Sequence, residues 1–235
     1  MESILIILLL AASIVIAIAY YWGCHVAAKK RREEMNALAA SLGWSFDPAH
    51  DRDHDEEYAH FECFRRGHSR AAYNTLRGEA SIAGHAFPAK MGDFTYRITQ
   101  QTGKGSTTRT YHFSYLILHL PFAGVPDLLI RREGIFDKLA GAFGFDDIDF
   151  ESAEFSRKFH VKSADKKFAF GVIEPRMMEF LLEGDPPCVD IERGCGCFSD
   201  GRKRWTPDEF KAMLSWTGEF FSRWPQHVMS SLKTR

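Results

Sequence analysis

The hydrophobic pattern of the chain begins with a long apolar run near the N-terminus. Ile4 to Trp22 is a stretch of 19 residues that only Ser13 interrupts. As a helix it would be about 28 Å long, close to the ~30 Å hydrocarbon core of a bilayer. A run of this length with no polar face is typical of a membrane-spanning helix and not of a helix packed on one side of a domain.

The flanks of the run predict its direction. Its last residues, Tyr20 to Trp22, are aromatic, and such rings favour the headgroup region of a membrane. Four basic residues follow within the next turns: Lys29, Lys30, Arg31 and Arg32. The charged residue before the run is Glu2. The positive-inside rule therefore predicts an N-terminus outside and the rest of the chain in the cytoplasm, with the basic cluster near anionic headgroups.

Other interpretations of the run agree less well with the residues. Ala17 to Ala19 resembles a signal-peptidase site, but a secretory signal has basic residues before its apolar run, and here they follow it. A lipoprotein modified at Cys24 needs small residues before that cysteine, where Tyr21 and Trp22 stand. Self-association through the helix is open, although the run lacks a Gly-X-X-X-Gly face. We therefore expect an uncleaved anchor.

After the run, the pattern becomes that of a folded domain. Residues 1–28 are predicted as the anchor and juxtamembrane segment, and residues 29–43 as a linker helix with a thin apolar stripe ended by a glycine. Residues 44–225 mix helical and strand patterns, and residues 226–235 are predicted as a C-terminal tail. The domain is expected to form either one sheet or two lobes that meet near residues 121–127.

Strand patterns dominate the first half of the domain. Phe61 to Phe64 and Ala71 to Leu76 flank a glycine turn and predict a hairpin. Phe87 to Thr99 and Thr108 to Leu120 predict two longer strands. The loop Thr102 to Thr107 resembles a phosphate-binding loop but lacks the Walker spacing, so it is predicted as a hairpin tip. In the second long strand, alternate positions place four residues on one face: Tyr111, Phe113, Tyr115 and Ile117.

The second half alternates short helices and strands. The predicted extended segments are Asp127–Arg132, Asp147–Phe150, Phe155–Val161, Val189–Glu192 paired with Cys197–Phe198, and a strand ending near Trp205. The predicted helices are Ile135–Phe143, Pro175–Leu182 and Phe210–Trp224. Thr206 to Glu209 has the order of a capping box with proline in the first helical position. These patterns predict an α+β domain of mostly antiparallel sheet with a few packed helices.

Charge and cysteine content restrict the function. The chain has 30 Lys and Arg against 31 Asp and Glu. Because Glu2 precedes the anchor and every basic residue follows it, the part from residue 29 onward has 30 charges of each sign. A neutral domain has no net field that attracts a polyanion, so nucleic acid is not an expected partner. Five cysteines are few and odd in number for a disulfide scaffold, which favours a reducing compartment.

A first candidate site lies in the polar segment of residues 50–60, which holds three histidines and five carboxylates. His50 and His54 are four residues apart, and on a helix both imidazoles would face one side, as a metal site requires. No third ligand stands out at a suitable spacing. The alternative is a solvated acidic loop or a weak helix.

A second candidate is the pair Cys195 and Cys197, with Cys188 nearby. On a strand, the two side chains of a Cys-X-Cys pair point to the same face, which suits redox chemistry or a soft metal. The alternative is that small, half-buried residues fill a β-hairpin.

A third candidate is a run of carboxylates that follows a predicted helix end: Asp146, Asp147, Asp149 and Glu151. In an extended segment, Asp147, Asp149 and Glu151 would share one face, as needed for a divalent cation or for paired-carboxylate catalysis. Ile148 and Phe150 would turn inward, and the alternative is therefore a sheet edge with one wet side.

Several short stretches resemble a known family. They are Arg77-Gly78-Glu79, Asp93-Phe94-Thr95-Tyr96, Gly103-Lys104, Leu120-Pro121, Gly144-Phe145-Asp146-Asp147-Ile148-Asp149-Phe150-Glu151 and Phe155-Ser156. In this order they resemble a family of bacterial single-pass membrane-anchored proteins with no known activity, between Ala39 and Trp216. The resemblance implies a membrane-anchored architecture. It implies no catalytic or ligand-binding residue.

The sequence as a whole predicts a single-pass protein of the bacterial inner membrane whose cytoplasmic domain binds a protein partner or a ligand. Serine-hydrolase, zinc-protease and dinucleotide-binding motifs are missing from the sequence. The alternative is a membrane-tethered enzyme, or a metal- or redox-responsive domain, that uses the carboxylates of residues 146–151 or the pair Cys195 and Cys197.

Overall fold

The computed structural model describes residues 2–103, 105–133 and 147–234. The predicted anchor and the predicted linker are one continuous helix, α1, which runs from Glu2 to Leu42 over 41 residues. Within α1, the segment Leu9–Leu42 contains a window with a mean hydropathy of 1.7 and no buried residue. Among the described residues, α1 is the one helix long and apolar enough to cross a membrane.

The C-terminal turns of α1 belong to the folded domain. Met35, Leu38 and Ala39 are buried, and their spacing of three and one places them on one helical face. Gly43 ends the helix with a φ of +69°, a conformation that glycine adopts without steric cost. The chain then turns into β1, so the predicted linker is a core element of the domain.

The domain is built on one antiparallel sheet of eight strands in the order β1-β2-β3-β4-β9-β8-β6-β7. The strands of this sheet are β1 (Ser45–Asp47), β2 (His68–Ile82), β3 (His85–Thr102), β4 (Gly105–His119), β6 (Leu128–Arg132), β7 (Phe159–Lys162), β8 (Cys188–Glu192) and β9 (Cys195–Ser199). Strands from the two halves of the domain meet where β4 pairs with β9. A separate two-stranded pair joins β5 (Phe122–Ala123) to β10 (Lys233–Thr234).

Helices cover the two faces of the sheet unequally. One face carries the large core, to which the end of α1 and the helices after the long strands contribute: α3 (Ala153–Lys158), α4 (Lys166–Val172), α5 (Pro175–Leu182), α6 (Pro207–Ser222) and α7 (Gln226–Ser231). The other face is covered by α2 (His54–Glu57) and a 3-10 turn (Glu62–Phe64). The period-two prediction for β4 is confirmed, because Phe113, Tyr115 and Ile117 face this smaller core.

Close contact between α1 and the sheet depends on a glycine. Gly78 of β2 lies under the ring of Trp44, and a Cβ at this position would be 2.2 Å from the Trp44 Cγ atom. The absence of a side chain therefore lets the end of α1 reach the strands.

The structure differs from the predicted elements at several places. The predicted strand Phe61–Phe64 is the 3-10 turn, and β2 pairs instead with β1 and β3. Most of the predicted extended segment Phe155–Val161 is α3, because Ser152 caps a helix by accepting a hydrogen bond from the backbone N–H of Phe155. Residues 201–204 form no strand. The predicted tail of residues 226–235 contains α7 and β10.

Other predictions are confirmed in position and type. The two long strands form the β3–β4 hairpin, the helix Pro175–Leu182 is α5, and β8 pairs with β9. The capping box of α6 is complete, with the Thr206 side chain accepting from the Glu209 N–H and the Glu209 carboxylate accepting from the Thr206 N–H. The α+β class is therefore confirmed. The predicted helix Ile135–Phe143 lies outside the described residues.

Candidate functional site

A polar cleft lies where α2 meets β2, β3 and the last residue of β4. We call it the Lys90 cleft, and its volume is about 310 Å³. Eight residues line it: Glu57, Tyr58, Arg77, Gly78, Pro88, Ala89, Lys90 and His119. The cleft therefore combines two cations, a carboxylate, a phenol and an imidazole in one concave surface.

Lys90 forms the wall of this cleft. Its side chain is 6% exposed, and its Nζ atom lies 3.1 Å from Glu57 Oε2 and 3.3 Å from Asp51 Oδ2. The same ammonium group lies 4.9 Å from the centroid of the Tyr58 ring. A nearly buried cation is stable only when it is paired, and these three groups supply the pairing.

A thiol and an imidazole meet at the edge of the cleft. His119 and Cys195 are directly opposite each other in the pairing of β4 with β9. The Cys195 Sγ atom lies 3.4 Å from His119 Nδ1, and the Tyr58 hydroxyl lies 3.4 Å from His119 Nε2. An imidazole held between a thiol and a third polar group is the arrangement that activates a sulfur nucleophile.

Tyr58 stays protonated in this arrangement. Burial is the main cause that raises the pKa of its phenol, and the negative charge of Glu57 adds to it. A neutral hydroxyl can orient the His119 ring by donating or accepting a hydrogen bond, depending on the tautomer of the ring. Tyr58 is therefore a positioning group and not a base.

A second group of thiols lies on the same face of the sheet, where Cys63 of the 3-10 turn meets β9. The Cys63 and Cys197 Sγ atoms are 3.9 Å apart. Both residues, with Cys188 and Asp190, line a cavity of about 30 Å³. Burial raises the pKa of the Cys188 and Cys197 thiols and of the Asp190 carboxyl group well above their ordinary values. Burial therefore favours the protonated, uncharged forms of these groups.

The predicted pair of Cys195 and Cys197 is thus divided between two sites. Both residues face the smaller core, as the spacing predicts. Their nearest polar neighbours differ, because Cys195 contacts His119 and Cys197 contacts Cys63.

The predicted metal pair of His50 and His54 is not brought together. His54 is completely buried and surrounded by aromatic rings, while His50 is exposed and stacks on Tyr73 with the ring centroids 5.1 Å apart. Burial lowers the pKa of His54 to about 2. His54 is therefore a neutral core residue, and its burial removes it from any surface site.

The carboxylate run has the predicted alternation, with Ile148 and Phe150 buried and Asp147 and Asp149 exposed. Asp147 forms a hydrogen-bonded pair with His160 at 2.7 Å. The predicted member Asp146 lies outside the described residues.

Within the residues that the structure describes, no group of three or more His, Cys, Asp or Glu side chains has an arrangement that could hold a metal ion.

Sequence reasoning missed four important site residues: Tyr58, Cys63, Lys90 and His119. For His119 a signal existed, since it continues the period-two series that ends at Ile117 and so shares the face of the smaller core. Tyr58 and Cys63 come from the segment between α2 and β2, and Lys90 comes from β3. Only the folded chain brings them close to β4 and β9.

Comparisons with known proteins give one similar structure. No protein-family model and no curated protein matches the chain. The crystal structure of the mycobacterial trehalose monomycolate transport factor A, TtfA, is similar over 83% of this chain and 96% of that chain, with a TM-score of 0.48 and 11% sequence identity.

Proposed function

We propose that this chain is a single-pass membrane protein whose domain lies directly on the cytoplasmic surface of the membrane and binds a partner or a ligand there. The observation that carries the proposal is the continuity of α1. Its N-terminal part is apolar and exposed, and its C-terminal part is buried in the domain. Exposed apolar side chains over the length of a bilayer are stable in lipid and not in water.

A buried ion pair fixes α1 to the sheet. Arg31 donates two hydrogen bonds to Asp93 of β3, from Nη2 to Oδ1 at 2.8 Å and from Nε to Oδ2 at 3.0 Å. The Arg31 side chain is 11% exposed and that of Asp93 is fully buried. Asp93 also accepts hydrogen bonds from Asn74 and Ser114. Arg31, which the sequence places among the headgroup-facing basic residues, thus anchors the helix inside the domain.

This connection restricts where the domain can lie. Arg31 follows Trp22 by nine residues, which is about 14 Å along a helix. No flexible linker separates the two positions, because α1 is helical throughout. A domain held at this distance would remain within reach of the membrane surface and of the cytoplasmic parts of other membrane proteins.

The direction of insertion is inferred from charge. Lys29, Lys30 and Arg32 are exposed beyond the aromatic end of the apolar run. The positive-inside rule favours the cytoplasm for that end. The resemblance to bacterial membrane-anchored proteins is the reason to propose the bacterial inner membrane.

Carbonate extraction and protease digestion test the anchor and its direction. The full chain should stay in the membrane pellet at alkaline pH, whereas Ile14→Arg, at the centre of the apolar run, should release a large fraction. Trypsin should cut after Lys167 in inverted vesicles and not in intact spheroplasts. Release of the unaltered chain by carbonate would refute the anchor, and cutting in intact spheroplasts would refute the direction.

Binding is tested by native mass spectrometry of the full chain released from detergent, with elemental analysis. A retained molecule or a co-purifying membrane protein, stoichiometric with the chain, is the expected result. A binding role would be contradicted if native mass spectrometry and elemental analysis both find the chain without a bound molecule and if the chain cross-links to no protein in its membrane.

A second candidate function is favoured by the contact between Cys195 and His119. In this alternative, the Lys90 cleft is the site of a thiol-dependent enzyme. The Cys195 thiol would lose its proton to His119 and attack the carbonyl carbon of a substrate ester or amide, whose C=O π electrons move to the oxygen. The C=O bond would then re-form as the bond to the alcohol or amine breaks, and this leaving group would take the proton from His119, while Lys90 or Arg77 would hold a negatively charged substrate group.

The alkylation rate of Cys195 by iodoacetamide tests this alternative. If His119 activates the thiol, the rate at Cys195 should be nearly constant from neutral pH upward, and His119→Gln should restore an ordinary thiol profile that rises toward pH about 8.5. An ordinary profile in the unaltered chain, unchanged by the substitution, would exclude an activated nucleophile at this position.

A further inference from the structure

The β3–β4 hairpin extends beyond the rest of the domain. On one side β2 accompanies β3 as far as Arg97, which pairs with His68. On the other side β9 accompanies β4 only between Leu116 and His119. Beyond these points β3 and β4 continue as a two-stranded ribbon to Thr102 and Gly105. The ribbon residues are almost all exposed, and a two-stranded ribbon without packing on a face is only marginally stable in water.

The ribbon and the apolar part of α1 leave the domain at the same end. At the end of α1, Trp44 lies on Gly78, which pairs with Ala89 of β3. Thirteen residues earlier in the chain, Arg31 binds Asp93 of β3. The helix α1 and the strand β3 are therefore antiparallel. Toward its N-terminus, α1 passes from the level of Ala89 to the level of Asp93, which is also the direction in which β3 continues toward the tip of the ribbon.

Beyond the ion pair, the ribbon is longer than the part of α1 that separates Arg31 from the apolar run. From Asp93 to Thr102, β3 advances nine residues, or about 30 Å. From Arg31 to Trp22, α1 advances nine residues, or about 14 Å. Because 30 Å is about twice 14 Å, the ribbon would reach the level of Trp22 at any angle to the helix up to about 60°.

The composition of the ribbon suits an anionic surface. Residues 94–126 contain no Asp or Glu, although the domain as a whole is neutral. Arg97 and Arg109 are both exposed and lie on opposite faces of the ribbon, since Arg97 pairs with Thr110 and Arg109 with Ile98. Tyr111 is 38% exposed and stacks on Tyr96, with the ring centroids 5.2 Å apart. Arginine and tyrosine are residues that favour the headgroup region.

We propose that the β3–β4 ribbon is a second membrane contact, which binds the anionic headgroups of the same membrane that α1 spans. The inference rests on the proposed anchor. It adds that the domain is held by two points, one in the bilayer and one on its surface, so that the sheet keeps a defined orientation to the membrane.

Protection from trypsin tests the contact on the full chain. The chain is reconstituted into phosphatidylcholine vesicles with roughly one third phosphatidylglycerol, into vesicles of phosphatidylcholine alone, and into detergent micelles. Cleavage after Arg109 is followed by mass spectrometry, relative to cleavage after Lys167. Lys167 is exposed in α4, which packs on α7. The strand β10 follows α7 and pairs with β5, and β5 begins just after the end of β4 that is opposite the ribbon. Lys167 is therefore a reference site on elements connected to the opposite end of this hairpin.

Cleavage after Arg109 should be about tenfold slower in the anionic vesicles than in the neutral vesicles or in micelles, and high salt should abolish the difference. Arg97→Gln should reduce the protection about fivefold, and the charge-matched variant Arg176→Gln, on α5, should leave it unchanged. Equal cleavage in both kinds of vesicle would overturn the proposal, and so would protection that persists in micelles, which would indicate contact with a second copy of the chain. Carbonate extraction of the same vesicles reports separately on the anchor, so a failure of the ribbon and a failure of the anchor give different results.

Discussion

His54 provides a direct test of the smaller core, because it is a buried imidazole without a polar partner. It is completely buried, and neither ring nitrogen has a hydrogen-bond partner among the described residues. The rings of Tyr58, Phe64, Phe94 and Tyr115 surround it at centroid distances of 4.8, 4.5, 5.7 and 4.8 Å. Burial, followed by the positive charges of Lys90 and Arg77, lowers its pKa from 6.5 to about 2.

The sign of the pH effect follows from this shift. Above pH 6.5 the imidazole is neutral in both the folded and the unfolded chain, and the contribution of His54 is at its full value. Below pH 6.5 the unfolded chain binds a proton that the folded chain does not, so the free energy of unfolding falls as the pH falls toward 2. Between pH of about 7.5 and about 5.5, the loss from this single site is about 1.4 kcal/mol.

Urea unfolding of the full chain in detergent measures this loss. His54→Phe keeps an aromatic ring in the cavity and removes both unpaired nitrogens, so we expect it to be about 1 kcal/mol more stable than the unaltered chain at neutral pH. It should also lose about 1.4 kcal/mol less on acidification. His60 and His112, whose pKa values burial also lowers, contribute equally to both proteins.

The matched control is His50→Phe, which changes an exposed histidine four residues away and should keep the pH dependence of the unaltered chain. If His54→Phe and the unaltered chain lose the same stability between the two pH values, His54 is protonated in the folded state. The assignment of a dry aromatic environment would then be wrong.

Three further predictions concern α1, the thiols and α6. Arg31→Met should lower the free energy of unfolding by about 3–5 kcal/mol because it leaves the buried carboxylate of Asp93 unpaired, and the added substitution Asp93→Asn should restore much of the loss in a urea titration. Oxidised glutathione should form a disulfide bond between Cys63 and Cys197, and the chain should lose the mass of two hydrogens. The rate of this reaction should rise with pH, because burial raises the pKa of the Cys197 thiol. Thr206→Ala should destabilise the domain by about 1 kcal/mol in thermal unfolding, since it removes half of the capping box.

Controls for these predictions are available in the same chain. Arg32→Met removes a neighbouring exposed charge whose Nε donates a hydrogen bond to the backbone carbonyl of Ala28 at 3.4 Å, and it should cost little stability. Cys63→Ser should abolish the intramolecular disulfide, and Cys24→Ser should not. A disulfide that persists in Cys63→Ser, or an Arg31→Met variant as stable as Arg32→Met, would contradict the geometry described here.

Local patterns in the sequence predicted several elements correctly. The Thr206 to Glu209 capping box is a purely local arrangement, and it starts α6 at the predicted position. The strands of the β3–β4 hairpin are long enough for alternation to be unambiguous. The segment Phe155–Val161 was predicted wrongly because it is too short for its pattern to distinguish a helix from a strand. The Ser152 cap starts a short helix there, and the apolar residues of the segment also fit a strand pattern.

The candidate site was much less predictable than the fold. Cys195 was identified from its spacing, but the residues around its thiol come from other segments: His119 from β4, and Tyr58, which contacts His119, from the segment after α2. His50 and His54 have the spacing of a metal pair, and burial of one residue separates them. A short polar motif shows which side chains are present in one segment. Their burial and their contacts depend on segments more than sixty residues apart in the chain, as for Tyr58 with His119 and for His119 with Cys195.

The sequence by itself determined the apolar helix, the period-two strands and the capped helix. Each is encoded by residues that are close together in the chain: one apolar run of 19 residues, a few alternating positions, or a single helical turn. Only the tertiary structure decided that Arg31 serves an ion pair with Asp93, that the thiols divide into two sites and that residues 226–234 pack on the domain. The physical reason is that charge, thiol and imidazole chemistry depend on the partner and on the local water. Both are set by contacts between residues distant in the chain.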